Sequence, residues 1–187
     1  MLAAALILNS TSVAAQEQQA DIVVHIDAVE YTNPIRLWHP YFDYWYHQGP
    51  LFEDIAIEKL KHEYNQVTMC EAEQSGKILV WLKPKMFFNP QVQMFYGKVT
   101  ANAYTGIGQY FATYEAESGV WGYINQQAET RIKQSYALAM DGLIQKIKSD
   151  PNFQTKLDAS ADDAKTSSTP CSMITLLPPA RIRAMPF

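Results

Sequence analysis

The densest collection of side chains able to do chemistry is the run Leu37 to His47 (LWHPYFDYWYH), which holds two histidines, a carboxylate and six aromatic rings. His39, Asp43 and His47 lie four apart, so on a helix they would share one face and could ligate Zn or Cu. Pro40 beside His39 weakens a helix there, although proline is accepted in a first turn. No third histidine is near in sequence; His25 and His62 would have to converge through the fold. The sequence therefore implies no metal and no cofactor. His39, Asp43 and His47 stand as the residues that would carry a metal site if there were one.

The rings have a different use. Trp38, Tyr41, Tyr44, Trp45 and Tyr46 combine large contact area with polar tips and few rotatable bonds, the combination that protein interfaces favour. The same rings can stack on the apolar faces of sugars. Three readings follow: a crossover loop packed over the core, a protein-binding surface, or a glycan- or ligand-binding module built on residues 37–47.

Nucleophile and acid–base motifs are absent. There is no Gly-x-Ser-x-Gly, no phosphate-cradling glycine loop and no His-Glu-x-x-His. Glu71 beside Cys70 opposes thiolate formation there. Glu71, Glu73, Glu115 and Glu117 fall on strand-like stretches, and Glu115 and Glu117 share a face, as a water-facing alternation would place them. The expectation is a protein that is not an enzyme.

Cys70 and Cys171 are the only cysteines, and an even count in an exported chain reads as a disulfide. Export itself is read from Met1 to Ala15 (MLAAALILNSTSVAA). An apolar run from Leu2 to Leu8 leads into Ser/Thr, then Val13-Ala14-Ala15 precedes Gln16 as a signal-peptidase site would. No basic residue precedes Leu2, which suggests a longer precursor. No cysteine sits at the junction for lipid attachment, and the run falls short of the ~20 apolar residues of a spanning helix. The expected address is periplasmic or secreted, without a lipid anchor and without an integral membrane span. A net charge of −4 and a pI near 5.5 leave no broad basic surface for nucleic acid.

The positioning elements follow from periodicity. Asp21 to Tyr31 alternates as a strand. Leu51, Ile55, Leu60 and Tyr64, widened by Phe52 and Ala56, predict a helix from Leu51 to Asn65. Gln66 to Glu73 reads as a short strand, and Lys77 to Leu82 (KILVWL) as a central strand buried on both faces. Pro84 and Asn89-Pro90 predict an interruption, because proline cannot donate to a ladder. Alternation returns from Val92 to Tyr104, turns at Gly106 and Gly108, and comes back over Tyr110 to Ala116. Ile124, Ala128, Ile132, Tyr136, Ala139, Leu143 and Ile147 predict a long helix stopped by Asp150-Pro151. Gln154 to Pro170 reads as a linker. It leads to Cys171 and a tail in which Leu176-Leu177-Pro178-Pro179 is either a docking segment or a loose end pinned by the cystine. The expected fold is α+β: an antiparallel sheet of four to five strands with two helices on one face, in the order β-α-β-β-β-β-α. It divides into a signal peptide (1–15), an α/β domain (16–151) and a linker with a Pro-containing tail (152–187).

That element order resembles the small α/β domains of Gram-negative envelope proteins: the lipopolysaccharide-assembly lipoprotein, the ABC-transporter auxiliary lipoproteins, the activators of penicillin-binding proteins and the amino-terminal domain of TolB. The likeness rests on the hairpin Gly97 to Ala116 (GKVTANAYTGIGQYFATYEA) and the closing helix Gln126 to Ile147 (QQAETRIKQSYALAMDGLIQKI). It implies a non-catalytic accessory or scaffolding role with an envelope protein as partner, and it carries no functional residue across.

Overall fold

A computed structural model of the chain describes residues 20–41, 43–71, 74–158, 171 and 174–177. The segments read as signal peptide (1–15), the linker from 159 to 170 and the tail beyond Leu177 lie outside the described residues, as do Phe42 and Glu73. The class is α+β, but the expected all-antiparallel sheet with two helices is overturned. Among the described residues, a five-stranded mixed sheet carries the order β4-β1-β5-β6-β7, a separate two-stranded sheet joins β2 (Ile35–Trp38) to β3 (Asp43–Tyr46), and there are four α-helices, the first being the short α1 (Val29–Thr32).

The main sheet is built from β1 (Ala20–Ile26), β4 (Val67–Met69), β5 (Gly76–Asn89), β6 (Met94–Thr105) and β7 (Tyr110–Trp121). β1 runs parallel to both β4 and β5, with Ile22 opposite Val67 and Ile78. β5, β6 and β7 then form an antiparallel meander. Alternation reveals a strand but not its direction. The one local hint of parallel pairing was the run KILVWL, since strands buried on both faces lose their alternation.

Pro84, read as an interruption, sits inside β5 opposite Val99. The last register pair of β1 is Ile26 with Leu82, so beyond that point β5 has a main-sheet neighbour on one side only. A residue without an N–H is tolerated in such a strand. The β6–β7 turn falls where its glycines place it, with Gly108 at φ +79°, a conformation that suits glycine.

α2 (Gln48–Glu63) and α3 (Ala128–Lys148) cover one face of the sheet. α2 begins three residues before the expected start, and Phe52, Ala56 and Leu60 form its deepest stripe. On α3, Ile132, Tyr136, Ala139 and Leu143 are fully buried against Val99, Ala101 and Ala103 of β6 and their neighbours. Gly97 lets α3 come close: a Cβ there would stand 2.7 Å from the Ser135 hydroxyl. Ser135 also accepts the approach chemically, its carbonyl taking a 2.6 Å hydrogen bond from the Ser118 hydroxyl of β7.

α4 (Pro151–Asp158) extends the folded unit into the stretch read as linker. Its anchor is Phe153, fully buried between Tyr64, Phe111 and Tyr114. A short Ser/Thr/Asp-rich composition hides one apolar anchor well.

Cys70 and Cys171 form a disulfide with a Cα–Cα distance of 5.4 Å across 101 residues of sequence. Cys171, Ile174 and Leu177 thereby lie on the second sheet face, over Val23, Leu79 and Tyr104. No helix among the described residues is long and apolar enough to cross a membrane, which leaves membrane-spanning strands unaddressed.

Candidate binding surface

The aromatic run is not a helix. It folds as a hairpin, β2 (Ile35–Trp38) against β3 (Asp43–Tyr46), with Leu37 opposite Tyr44 and Arg36 opposite Trp45. Strand periodicity sorts its side chains into two sets. Leu37 is buried in the main core, and Ile35, Tyr44 and Tyr46 pack half-buried against it. Arg36, Trp38, Asp43 and Trp45 face outward, with Trp38 53% and Trp45 57% exposed. Tyr41, in the connection, is 82% exposed.

The same sorting disperses the metal candidates. Asp43 is held by the Arg36 guanidinium at 2.6 Å. On a strand, four residues span about 13 Å, so Asp43 and His47 cannot meet as they would on a helix. The His39 ring Nδ1 accepts the Tyr41 amide at 3.3 Å. His25 pairs with Asp27 and His62 with Glu63. Among the described residues, no three His, Cys, Asp or Glu side chains come together as a metal site would require.

The hairpin is clamped where it joins α2. The Tyr136 hydroxyl donates to the Gln48 side-chain Oε1 at 2.7 Å, and the Gln48 Nε2 donates to the Glu30 carboxylate at 2.7 Å. Burial raises the pKa of the Glu30 carboxyl above its ordinary range, although the Gln48 bond pulls the other way. Nearby, the Tyr31 hydroxyl donates to Glu53 at 2.6 Å. One buried bond and two part-buried ones thus tie the segments on either side of the hairpin to each other and to α3.

Two recesses flank the hairpin. A trough of about 370 Å³ separates Trp38 from the β5–β6 turn, where Phe87, Phe88, Asn89, Pro90 and Gln91 form its other wall. A second cleft, of about 440 Å³, lies between Tyr44 and Tyr46 and the approach to α3, lined there by Asn125, Gln126 and Glu129.

Aromatic exposure continues past the trough across the second sheet face. Phe87 is 55% exposed and stacks on Tyr96 at 6.2 Å. Trp121 and Tyr123 sit edge to face at 5.2 Å at the far end of β7. Sequence reading missed Phe87, Tyr96, Trp121, Tyr123 and the three polar residues of the cleft. Nothing local separated Phe87 and Tyr96 from Phe88 and Phe95, which flank the same turn and are buried in the core.

The carboxylates on β7 behave as a solvated face. Lys98 bonds Glu115 at 2.9 Å and, with Thr100, holds its carboxyl below the usual range. That is the wrong direction for a general acid at neutral pH.

No family model matches the chain, and no curated protein matches it in sequence. Among solved structures, it is similar to a Xanthomonas campestris protein of the family model DUF330, with 9% identity and a TM-score of 0.46, over 73% of this chain and 91% of that one. Another, an uncharacterized protein, shares 10% identity with a TM-score of 0.41, over 71% of this chain and 95% of that one. Likenesses this loose assign neither a family nor a function.

Proposed function

We propose that the chain is an exported, non-catalytic accessory protein that holds a protein partner of the cell envelope on the outer face of the β2–β3 hairpin. The observation that carries this reading is the placement of Trp38 and Trp45. Both are more than half exposed on one face of a hairpin whose other face is built into the core. Aromatic anchors on a pre-ordered support lose little entropy on binding, and interface energy concentrates in such residues. Phe87 beyond the trough widens the patch, and contiguous exposed apolar surface of this kind marks interaction sites. The cystine supports export, because disulfides persist in oxidising compartments.

The test is a photo-reactive residue placed at Tyr41, and separately at Trp45, in the oxidised chain expressed in its native cells. One adduct with an envelope protein is expected, and Trp38→Ala should suppress it. Absence of an adduct at both positions, or adducts indifferent to Trp38→Ala, would overturn the reading.

A further inference from the structure

The cleft between β3 and α3 shares no lining residue with the outward tryptophans, and its chemistry is different. Its aromatic components are Tyr44 and Tyr46, half-buried rings that pack on the core through one side. The opposite wall is polar: Asn125, Gln126 and Glu129, all exposed. The Asn125 side-chain oxygen accepts the Gln127 amide at 2.9 Å, which orients its NH2 group away from that bond.

Charge decides among ligand classes. An anion would meet the Glu129 carboxylate. A cation would be drawn by the Glu129 carboxylate, whose full charge outweighs the half-charge of the dipole at the start of the 21-residue α3. But Asn125, its oxygen already engaged by the Gln127 amide, turns NH2 donors toward it. An apolar chain would strand the two amides and the carboxylate, and the Trp38 trough suits it better. A neutral polyol meets none of these penalties. Its ring can lie on a tyrosine face, while planar amide and carboxylate groups exchange paired hydrogen bonds with neighbouring hydroxyls. A volume of about 440 Å³ is within the usual range for small-molecule sites.

We infer that the Tyr44/Tyr46/Glu129 cleft binds a neutral saccharide, either as a free oligosaccharide or as part of a longer glycan strand. The inference goes beyond the protein-binding reading and does not need it. It uses the inner tyrosines and α3, whereas that reading uses the outer tryptophans.

The experiment is a titration of the full oxidised chain, followed by ¹H–¹⁵N and tyrosine-ring NMR. The probes are N-acetylglucosamine trimer and maltotriose, with tetramethylammonium and inorganic phosphate as charged controls. Saturable millimolar shifts at Gln126, Glu129 and the Tyr44 and Tyr46 rings are expected with at least one sugar. Loss of a hydrogen bond to a charged group should then make binding about 10-fold weaker in Glu129→Gln. Tyr44→Leu should remove it, while Trp45→Ala leaves it unchanged. If a trimer binds and a soluble longer strand of the same sugar binds more tightly per site, the source is polymeric; equal affinities point to the free oligosaccharide. The inference is overturned if neither sugar gives saturable shifts at these residues. It is also overturned if sugar shifts ignore both Glu129→Gln and Tyr44→Leu, or if a charged control reproduces them. Glu129 is exposed, so its replacement does not compromise folding, and failure here leaves the photo-crosslinking outcome at Trp45 untouched.

Discussion

The two faces of the main sheet are covered by opposite strategies. On the first, α2 and α3 lay down continuous apolar stripes, with Phe52, Ala56, Leu60, Ile132, Tyr136 and Leu143 fully or almost fully buried. On the second, the described cover is Cys171, Ile174 and Leu177, packed on Val23, Leu79 and Tyr104. Beyond that cluster the rows Lys83–Thr100–Glu115 and Phe87–Tyr96–Gly119 run across the strands. Area explains the contrast. A long helix brings enough apolar surface to stay docked unaided, whereas a segment with two apolar anchors does not, and here a covalent bond supplies the difference.

If that contrast is right, damage to the first face should cost most. Leu143→Ala removes a fully buried side chain from α3 and is expected to destabilise by about 2–5 kcal/mol in urea unfolding. Gly97→Val, which drives methyl groups toward Ser135, should cost about 1–3 kcal/mol or more by overpacking. If either were neutral, the close seating of α3 on β6 would be wrong.

Breaking the cystine probes the second face. Cys70→Ser with Cys171→Ser is expected to cost about 2–4 kcal/mol. Its diagnostic is spatial: the ring signals of Tyr104 should shift, while those of Tyr136, on the helix-covered face, should not. Equal disturbance of both rings would mean that the two faces are not independently covered.

A smaller effect distinguishes the faces by pH. His25, on the second face, contacts Trp81 edge to face at 5.4 Å, with Asp27 and Lys83 nearby. Burial lowers its pKa, against the pull of Asp27. Below the unfolded value of about 6.5, the unfolded chain takes up a proton that the folded ring refuses, so stability falls as pH drops from there. The decline stops once pH is below the folded pKa and both states are protonated. His25→Phe should flatten this dependence in unfolding curves taken between neutral pH and mildly acid pH. A slope that persists in the variant would point to another group.

The least effect on stability is expected at the hairpin. Trp38→Ala and Trp45→Ala should each stay within about 0.5 kcal/mol of the parent, as exposed positions do, while reducing partner capture. A large loss of stability would convert these tryptophans from binding anchors into packing residues.

How far residues announce their place depends on how local the cause is. The α3 stripe and the Gly106/Gly108 turn were legible because helix spacing and a positive φ are set within a few residues. The pairing of β1 with β4 and β5 was not, since parallel register is decided by contacts far apart in sequence. The hairpin was hidden for another reason. Pro40 and the aromatic crowding masked two four-residue strands, although Arg36, Trp38, Asp43 and Trp45 do alternate with Leu37, Tyr44 and Tyr46 once paired. The tyrosines were legible as rings, but their partners in the cleft lie some 80 residues onward at Asn125, Gln126 and Glu129, where nothing local marks them.

The bond between Cys70 and Cys171 also divides the chain in a way that packing does not. The segment from 71 to 170, including the meander and α3, becomes a closed covalent ring, with β1, the aromatic hairpin and α2 outside it. A single proteolytic nick anywhere in that ring would release no fragment until the bond is reduced. Pulling on the two ends would load the sulfur bridge and leave the ring unstretched. For the exported role proposed above, such a ring would let the chain survive being cut or tugged.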